Sequence, residues 1–192
     1  MKRYIRSAVT DLMSEDKDVR RSVARNEHMR PEILRELVNS PEKSVVWHVA
    51  MNPNTPIDVL CELIDSDDIN TVCYALMNPS IPVDMLVKCA DHEKYPVRCA
   101  VADNWRTPVE VLDKLADDPN PYVQESVANN VHTSQEALAK LLFSTYGGPV
   151  IAALENPSTS IDAIRRLYEK TPDGFAQDAA KLRLKELGEF QE

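Results

Sequence analysis

Four cysteines, Cys61, Cys73, Cys89 and Cys99, and four histidines are the side chains of this 192-residue chain best suited to hold a metal ion or attack an electrophile. Thiolate and imidazole ligands of a soft metal normally come in closely spaced pairs, and no C-x-x-C pair or histidine cluster stands near these cysteines. Without a secretory leader they read as reduced thiols, most of them serving as small core hydrophobes. The acidic cluster Asp65, Asp67 and Asp68 has the density of a calcium loop but lacks its glycine and its distal bidentate glutamate. It is read as solvated charge at a helix end. H-E-x-x-H, G-x-S-x-G and a glycine-rich phosphate loop are missing, and the chain has only four glycines. No catalytic residue, metal or cofactor is therefore assigned, and the protein is expected to be non-enzymatic.

Composition narrows the partners. Hydrophobic residues make up 43% and charged residues 28%, an ordinary globular mixture that supports a sizeable core. No run of about 18 apolar residues occurs, and the opening MKRYIRSAVTDLM is interrupted by Arg6 and Asp11. A cytoplasmic protein with no membrane partner is the expectation. The net charge of −9 repels a phosphate backbone, and no basic run offsets it locally, which argues against nucleic acid.

What remains is the chemistry of contact, and its residues are placed by an internal repeat. Asparagine recurs at Asn26, Asn52, Asn78, Asn104, Asn130 and Asn156, every step being 26 residues with no insertion. Eight residues beyond each stands Leu34, Leu60, Leu86, Leu112, Leu138 or Ile164. Three further on stands Leu37, Leu63, Cys89, Leu115, Leu141 or Leu167. Before the asparagine, Val19, Val45, Thr71, Val97, Val123 and Pro149 are followed at i+4 by Val23, Val49, Ala75, Val101, Val127 and Ala153. Both spacings put apolar residues on one helical face, so each unit reads as a short first helix, a corner and a longer second helix.

The corner is expected to use asparagine in the left-handed conformation, with Pro53, Pro79 or Pro157 forbidding continuation. The six asparagine amides are expected to satisfy backbone groups of the adjacent corner, as a structural ladder along the stack. Thr55, Thr107, Thr133 and Thr159, each followed at the third position by Asp or Glu, predict a capping box on the second helix. Asp18, Ser44 and Asn70 are candidate caps of first helices. His28 and His132 share one corner position and are read as exposed. Gly147, Gly148 and Pro149 predict a bend or loosened joint in the sixth unit.

No two-helix unit of this length buries its apolar face alone, so stacking must supply the core. The fold class expected is all-α, an α-solenoid of six two-helix repeats over residues 14–169, within one domain spanning 1–192. An N-terminal capping helix is expected over 1–13 and a C-terminal capping helix over 170–192.

The elements VRRSVARN and VRCAVADN and the run NPNTPIDVLCELI resemble the bacterial variant leucine-rich repeat family, in which VR, VA, NP and TP punctuate a leucine-bearing unit. The resemblance covers roughly residues 17–169, and HEAT-like repeats are similar too. It implies a right-handed superhelix of alternating α and 3₁₀ helices. One family member carries an iron–sulfur cluster on a cysteine-rich N-terminal segment; no cysteine here precedes Cys61, so that cofactor is not carried over. Arginine follows the valine only at Arg20 and Arg98, the other copies having Val46, Val72, Gln124 and Val150. The family has no single activity.

One surface row departs from the polar pattern. The positions five and one before the asparagine lie i, i+4 and opposite the valine face, where polar residues belong. They are Arg21 and Arg25 in the first copy, and Glu125 and Asn129 in the fifth. In the second and third copies they are Trp47 with Met51 and Cys73 with Met77, continued by Cys99 in the fourth. His48 and Tyr74 border this strip. Such a row suits a protein or peptide partner, so an interaction scaffold is the first expectation, with Trp47→Ala abolishing binding while the fold survives. A homodimer through the same strip is the third reading. The second, a HEAT-like nucleic-acid-processing enzyme or DNA-binding protein, would need a basic face; Arg165, Arg166 and Lys170 form the densest cationic group.

Overall fold

A computed structural model describes residues 16–172 and 174–190. The capping helix expected over 1–13 lies outside the described residues, which hold thirteen α-helices and no strand. The chain divides into two compact units, Met1–Leu86 and Val87–Glu192.

In the first unit, α1 (Lys17–Arg25), α3 (Lys43–Met51) and α5 (Ile69–Leu76) are the first helices of successive repeats, and α2 (Pro31–Leu37) and α4 (Ile57–Ile64) are second helices. Helix α6 (Val83–Cys89) runs across the boundary between the units. In the second unit the first helices are α7 (Tyr95–Asp103), α9 (Pro121–Asn129) and α11 (Gly147–Glu155). Their second helices are α8 (Val109–Leu115), α10 (Gln135–Leu141) and α12 (Ile161–Lys170), followed by α13 (Phe175–Glu186). Like packs on like: α1 on α3 and α3 on α5 in one unit, α7 on α9 and α9 on α11 in the other, so that within each unit the first helices form a layer.

The leucine columns explain the packing. Leu34, Leu60, Leu86, Leu112 and Leu138 are fully buried, as are Leu37, Leu141, Ile164 and Leu167. Valines at the facing positions of the first helices, Val45, Val49, Val97, Val101, Val123 and Val127, are sealed from solvent as well. Burial of each such side chain contributes about 1.5–3 kcal/mol, which a lone two-helix unit could not collect.

Several local expectations are corrected. The first helix is the longer one in most repeats, nine residues in α1 and α3 against seven and eight in α2 and α4. Both helices are α-helical, and i→i+3 bonds of the 3₁₀ kind occur at their ends and in the corners, as in Asn52 N to Val49 O and Thr55 N to Asn52 O. The N-caps of these first helices lie two residues earlier than proposed, at Asp16, Glu42 and Asp68 instead of Asp18, Ser44 and Asn70. Gly147 to Glu155 form a regular nine-residue helix in place of a loosened joint. Pro149 falls in its first turn, where no backbone donor is required of it.

The corner asparagines are not left-handed. Asn26, Asn52, Asn104, Asn130 and Asn156 have φ between −64° and −74° with extended ψ. Their side chains account for the residue type. In the first unit Asn52 Nδ2 donates to Ala24 O (2.8 Å) and Asn26 O (2.9 Å), and Asn78 Nδ2 donates to Ala50 O (2.6 Å) and Asn52 O (2.9 Å). In the second, Asn130 reaches Ala102 O and Asn104 O, and Asn156 reaches Ala128 O and Asn130 O, all within 2.7–3.1 Å. Meanwhile each Oδ1 accepts from the backbone N–H two residues on, as from Ser80 and His132. These amides therefore quench the alanine carbonyl that the end of the preceding first helix leaves open, and add a second donor to the asparagine carbonyl, which also accepts the N–H three residues on, as Asn52 O does from Thr55.

Nor do the threonines form capping boxes. The hydroxyls of Thr55, Thr107, Thr133 and Thr159 donate back across the corner to Val49 O, Val101 O, Val127 O and Ala153 O at 2.5–2.6 Å. Ser134 and Ser160, one residue later, cap α10 and α12.

Candidate interaction surface

Helices α3 and α5 pack side by side in the first unit and carry the apolar row between them. Met51 ends α3 and Met77 follows α5, at 44% and 53% exposure. Trp47, His48, Cys73 and Tyr74 are half-buried. The Trp47 and Tyr74 rings lie 5.9 Å apart between centroids, tilted by 53°, a favoured offset geometry for an aromatic pair. The row is thus open at its methionine end and anchored at its aromatic end.

The anchor is Asp68, expected as solvated charge at a helix end. Its Oδ2 accepts from Trp47 Nε1 at 2.8 Å, from Thr71 Oγ1 at 2.8 Å and from Thr71 N at 3.1 Å, and its Oδ1 accepts from Lys43 Nζ at 2.7 Å. Asp68 is at once the N-cap of α5 and the acceptor that holds the indole of α3. The bonds from Lys43 and Trp47 keep its carboxyl far below the ordinary carboxylate range, against a smaller opposing effect of burial. The signal legible in sequence was its place two residues before the expected cap.

At the other end of the row the charge is positive. Arg25 is exposed at the last turn of α1, and Arg21 bonds Asp18 of its own helix. His48 is held below its ordinary pKa, first by burial and then by the charges of Arg25 and Arg21, so it is neutral over more of the pH range than a free histidine.

Cys99 belongs to the second unit, half-buried on α7. Burial pushes its thiol up despite a hydrogen bond with Ser126, away from nucleophilic character. Asp103, one turn on, is exposed yet surrounded closely enough that desolvation raises its carboxyl too, with the Ser126 hydrogen bond opposing. Of the four thiols only Cys89 is buried, so the core role expected for most of them is confined to one. Among the described residues no three His, Cys, Asp or Glu side chains are grouped to hold a metal ion. No helix there is long and apolar enough to cross a membrane.

The two arginines that follow a repeat valine fasten one link to the next. Arg20 Nη2 lies 2.6 Å from Glu42 Oε1 in the first unit. In the second, Arg98 grips Asp118 through Nε at 2.6 Å and Nη2 at 2.9 Å, and donates from Nη1 to His92 O and Glu93 O. Gln124 does the same neutrally, donating to Asp118 O and accepting from Ser144 Oγ. The cationic group at Arg165 is partly neutralised by Glu189 at 2.5 Å and Asp162 at 3.6 Å.

No family model and no curated protein matches the chain. Among solved structures it is similar to a leucine-rich repeat variant with a novel repetitive structural motif, with 29% identity, 89% of this chain and 67% of that one covered, and a TM-score of 0.65. It is also similar to an engineered protein, at 21% identity over 95% of each chain with a TM-score of 0.45. A designed armadillo repeat protein matches at 16% identity over 94% of this chain and 98% of that one, with a TM-score of 0.41. The 26-residue unit, its stacked helix layers and the first of these likenesses agree: the chain is a helical-repeat solenoid with the fold of the leucine-rich repeat variant.

Proposed function

We propose that the protein is a non-enzymatic scaffold that binds a protein or peptide through the row of Trp47, Met51, Cys73 and Met77 bordered by His48 and Tyr74, with Trp47, Met51, Tyr74 and Met77 as the central contacts. One observation carries this reading: two methionines at the same position of consecutive, packed repeats are about half exposed beside an aromatic pair. Stacking normally hides apolar side chains, and a contiguous exposed set has a use where single ones need none. Methionine, unbranched and polarizable, adapts its shape to a partner. Trp47 is tied to Asp68 and Tyr74, so it works as the wall of the surface and Met51 and Met77 as its contact points. Against the nucleic-acid reading stands the engagement of Arg165, the first residue of the densest cationic group, by two carboxylates.

The test is a displayed library of random peptides panned on the full chain, with the Met51→Lys/Met77→Lys double variant as the counter-selection. Peptides retained by the wild type and lost on the double variant are expected. Peptides that bind both equally, or a concentration-dependent dimer in sedimentation that the double variant abolishes, would overturn the reading.

A further inference from the structure

The two ends of the row differ in charge, and this restricts what can lie on it. From α3 to α5 the row holds Trp47, Met51, Cys73, Tyr74 and Met77, with no ionised side chain of its own. Asp68, the carboxylate that the Trp47 indole touches, is occupied by Lys43, Trp47 and Thr71. On the α1 side stand Arg21 and Arg25. Asp18 answers Arg21, whereas Arg25 has no carboxylate at ion-pair distance among the described residues. Resting on the proposed use of this surface for binding, we infer that its partner is an acidic, apolar peptide segment, whose carboxylate meets Arg25 and whose apolar side chains cover Met51 and Met77.

Charge complementarity carries the choice. A guanidinium at the edge of an apolar patch takes a carboxylate with paired, charge-assisted hydrogen bonds. A basic peptide would meet like charge there instead. The chain's net charge of −9 does not forbid an acidic partner at this spot. At physiological ionic strength charges act over about 8 Å, so Arg25 and Arg21 dominate their own neighbourhood. Arg25 holds in the first repeat the position that Met51 and Met77 hold in the next two, on α1, which packs against α3, so it stands beside the methionine edge of the row.

The experiment takes the peptides selected on the full chain and asks three things: their composition, their affinity for Arg25→Gln and Arg25→Glu, and the direction in which they move the His48 titration by NMR. On this inference the selected peptides combine Asp or Glu with large apolar residues, and Arg25→Glu weakens them about tenfold or more, Arg25→Gln less, as loss of a charge-assisted contact requires. The His48 midpoint rises on binding, because the incoming carboxylate offsets Arg25 and Arg21. Purely apolar peptides, indifferent to Arg25 and lowering the His48 midpoint by covering it, would overturn the acidic partner while leaving the binding surface intact. Failure to select any peptide that depends on Met51 and Met77 would overturn both. Circular dichroism of the Arg25 variants separates lost binding from lost fold.

Discussion

The amide nitrogen of Asn78 lies 2.6 Å from the carbonyl oxygen of Ala50, a residue of the preceding repeat, and both groups are sealed from water. The same nitrogen serves Asn52 O, while Oδ1 takes the N–H of Ser80. Removing this amide strands Ala50 O and takes the acceptor from the Ser80 N–H, while Asn52 O keeps the N–H of Thr55. Asn78→Ala is expected to cost about 2–4 kcal/mol in urea denaturation, since each buried group left unpaired costs roughly 1–3. Asn78→Asp keeps the shape but cannot donate when ionised, and is expected to be worse at neutral pH than in acid. A neutral result for both variants would mean that the ladder contributes nothing to stability.

Leu60 and Leu112 occupy one position of the repeat, one in each unit, and neither has accessible surface. Truncation to alanine leaves a cavity within two packed layers. Each variant is expected to lose roughly 2–4 kcal/mol. A loss near zero in either would show that its layer collapses to fill the space.

Arg98 and Asp118 form the most enclosed of the ion pairs described, with side chains 14% and 5% exposed. Burial of one charge without the other is the costly state. Arg98→Ala is expected to cost about 3 kcal/mol or more, because Asp118 then keeps only the backbone donor of Asn120 among the bonds described. Substitution of both by apolar residues of similar volume is expected to recover much of that loss. A double-mutant cycle gives the comparison, and additivity of the two single changes would refute the coupling.

Most of the architecture could be read before any coordinates, and the reason is redundancy. An asparagine column repeated six times, or a leucine column kept in five of six copies, states its environment at every repeat, so helix existence and buried faces followed from spacing alone. What escaped were relationships that occur once, or that join side chains to backbone across a corner. Nothing in the letter sequence distinguishes Thr55 as a helix cap from Thr55 as a donor to Val49 O, because both place a hydroxyl at the same junction. Asn52 could equally have stood in the left-handed region, and only its bonds to Ala24 and Asn26 explain its extended backbone. The apolar row was visible as a break in a polar pattern. The half-buried, bonded state of Trp47 beside exposed methionines was not, since that depends on Asp68 reaching an indole 21 residues away.

Asp68 permits a pH test. Its carboxyl is held below the ordinary range, so its contribution is complete above the unfolded-state value, near pH 4, and is lost as the pH falls through the lower native value. Asp68→Ala is expected to cost about 1–2 kcal/mol at neutral pH through loss of the cap. Asp68→Asn keeps an acceptor for Thr71 N and is expected to lose less, with a flatter acid limb below pH 4. A wild-type acid limb unchanged by Asp68→Asn would show that the carboxylate has no special stability in the native state. Trp47 fluorescence, read in a Trp105→Phe background because the chain has two tryptophans, should change in parallel as the indole loses its acceptor.

The asparagine ladder also bears on how such a chain can change its length over generations. An amide that must meet carbonyls 26 and 28 residues earlier tolerates no slip: deletion or insertion of one codon within a repeat moves donor and acceptors out of phase. Loss or duplication of one whole unit leaves every remaining contact of this kind unchanged. Growth is therefore expected in complete modules, in keeping with the constant 26-residue spacing of the six asparagines.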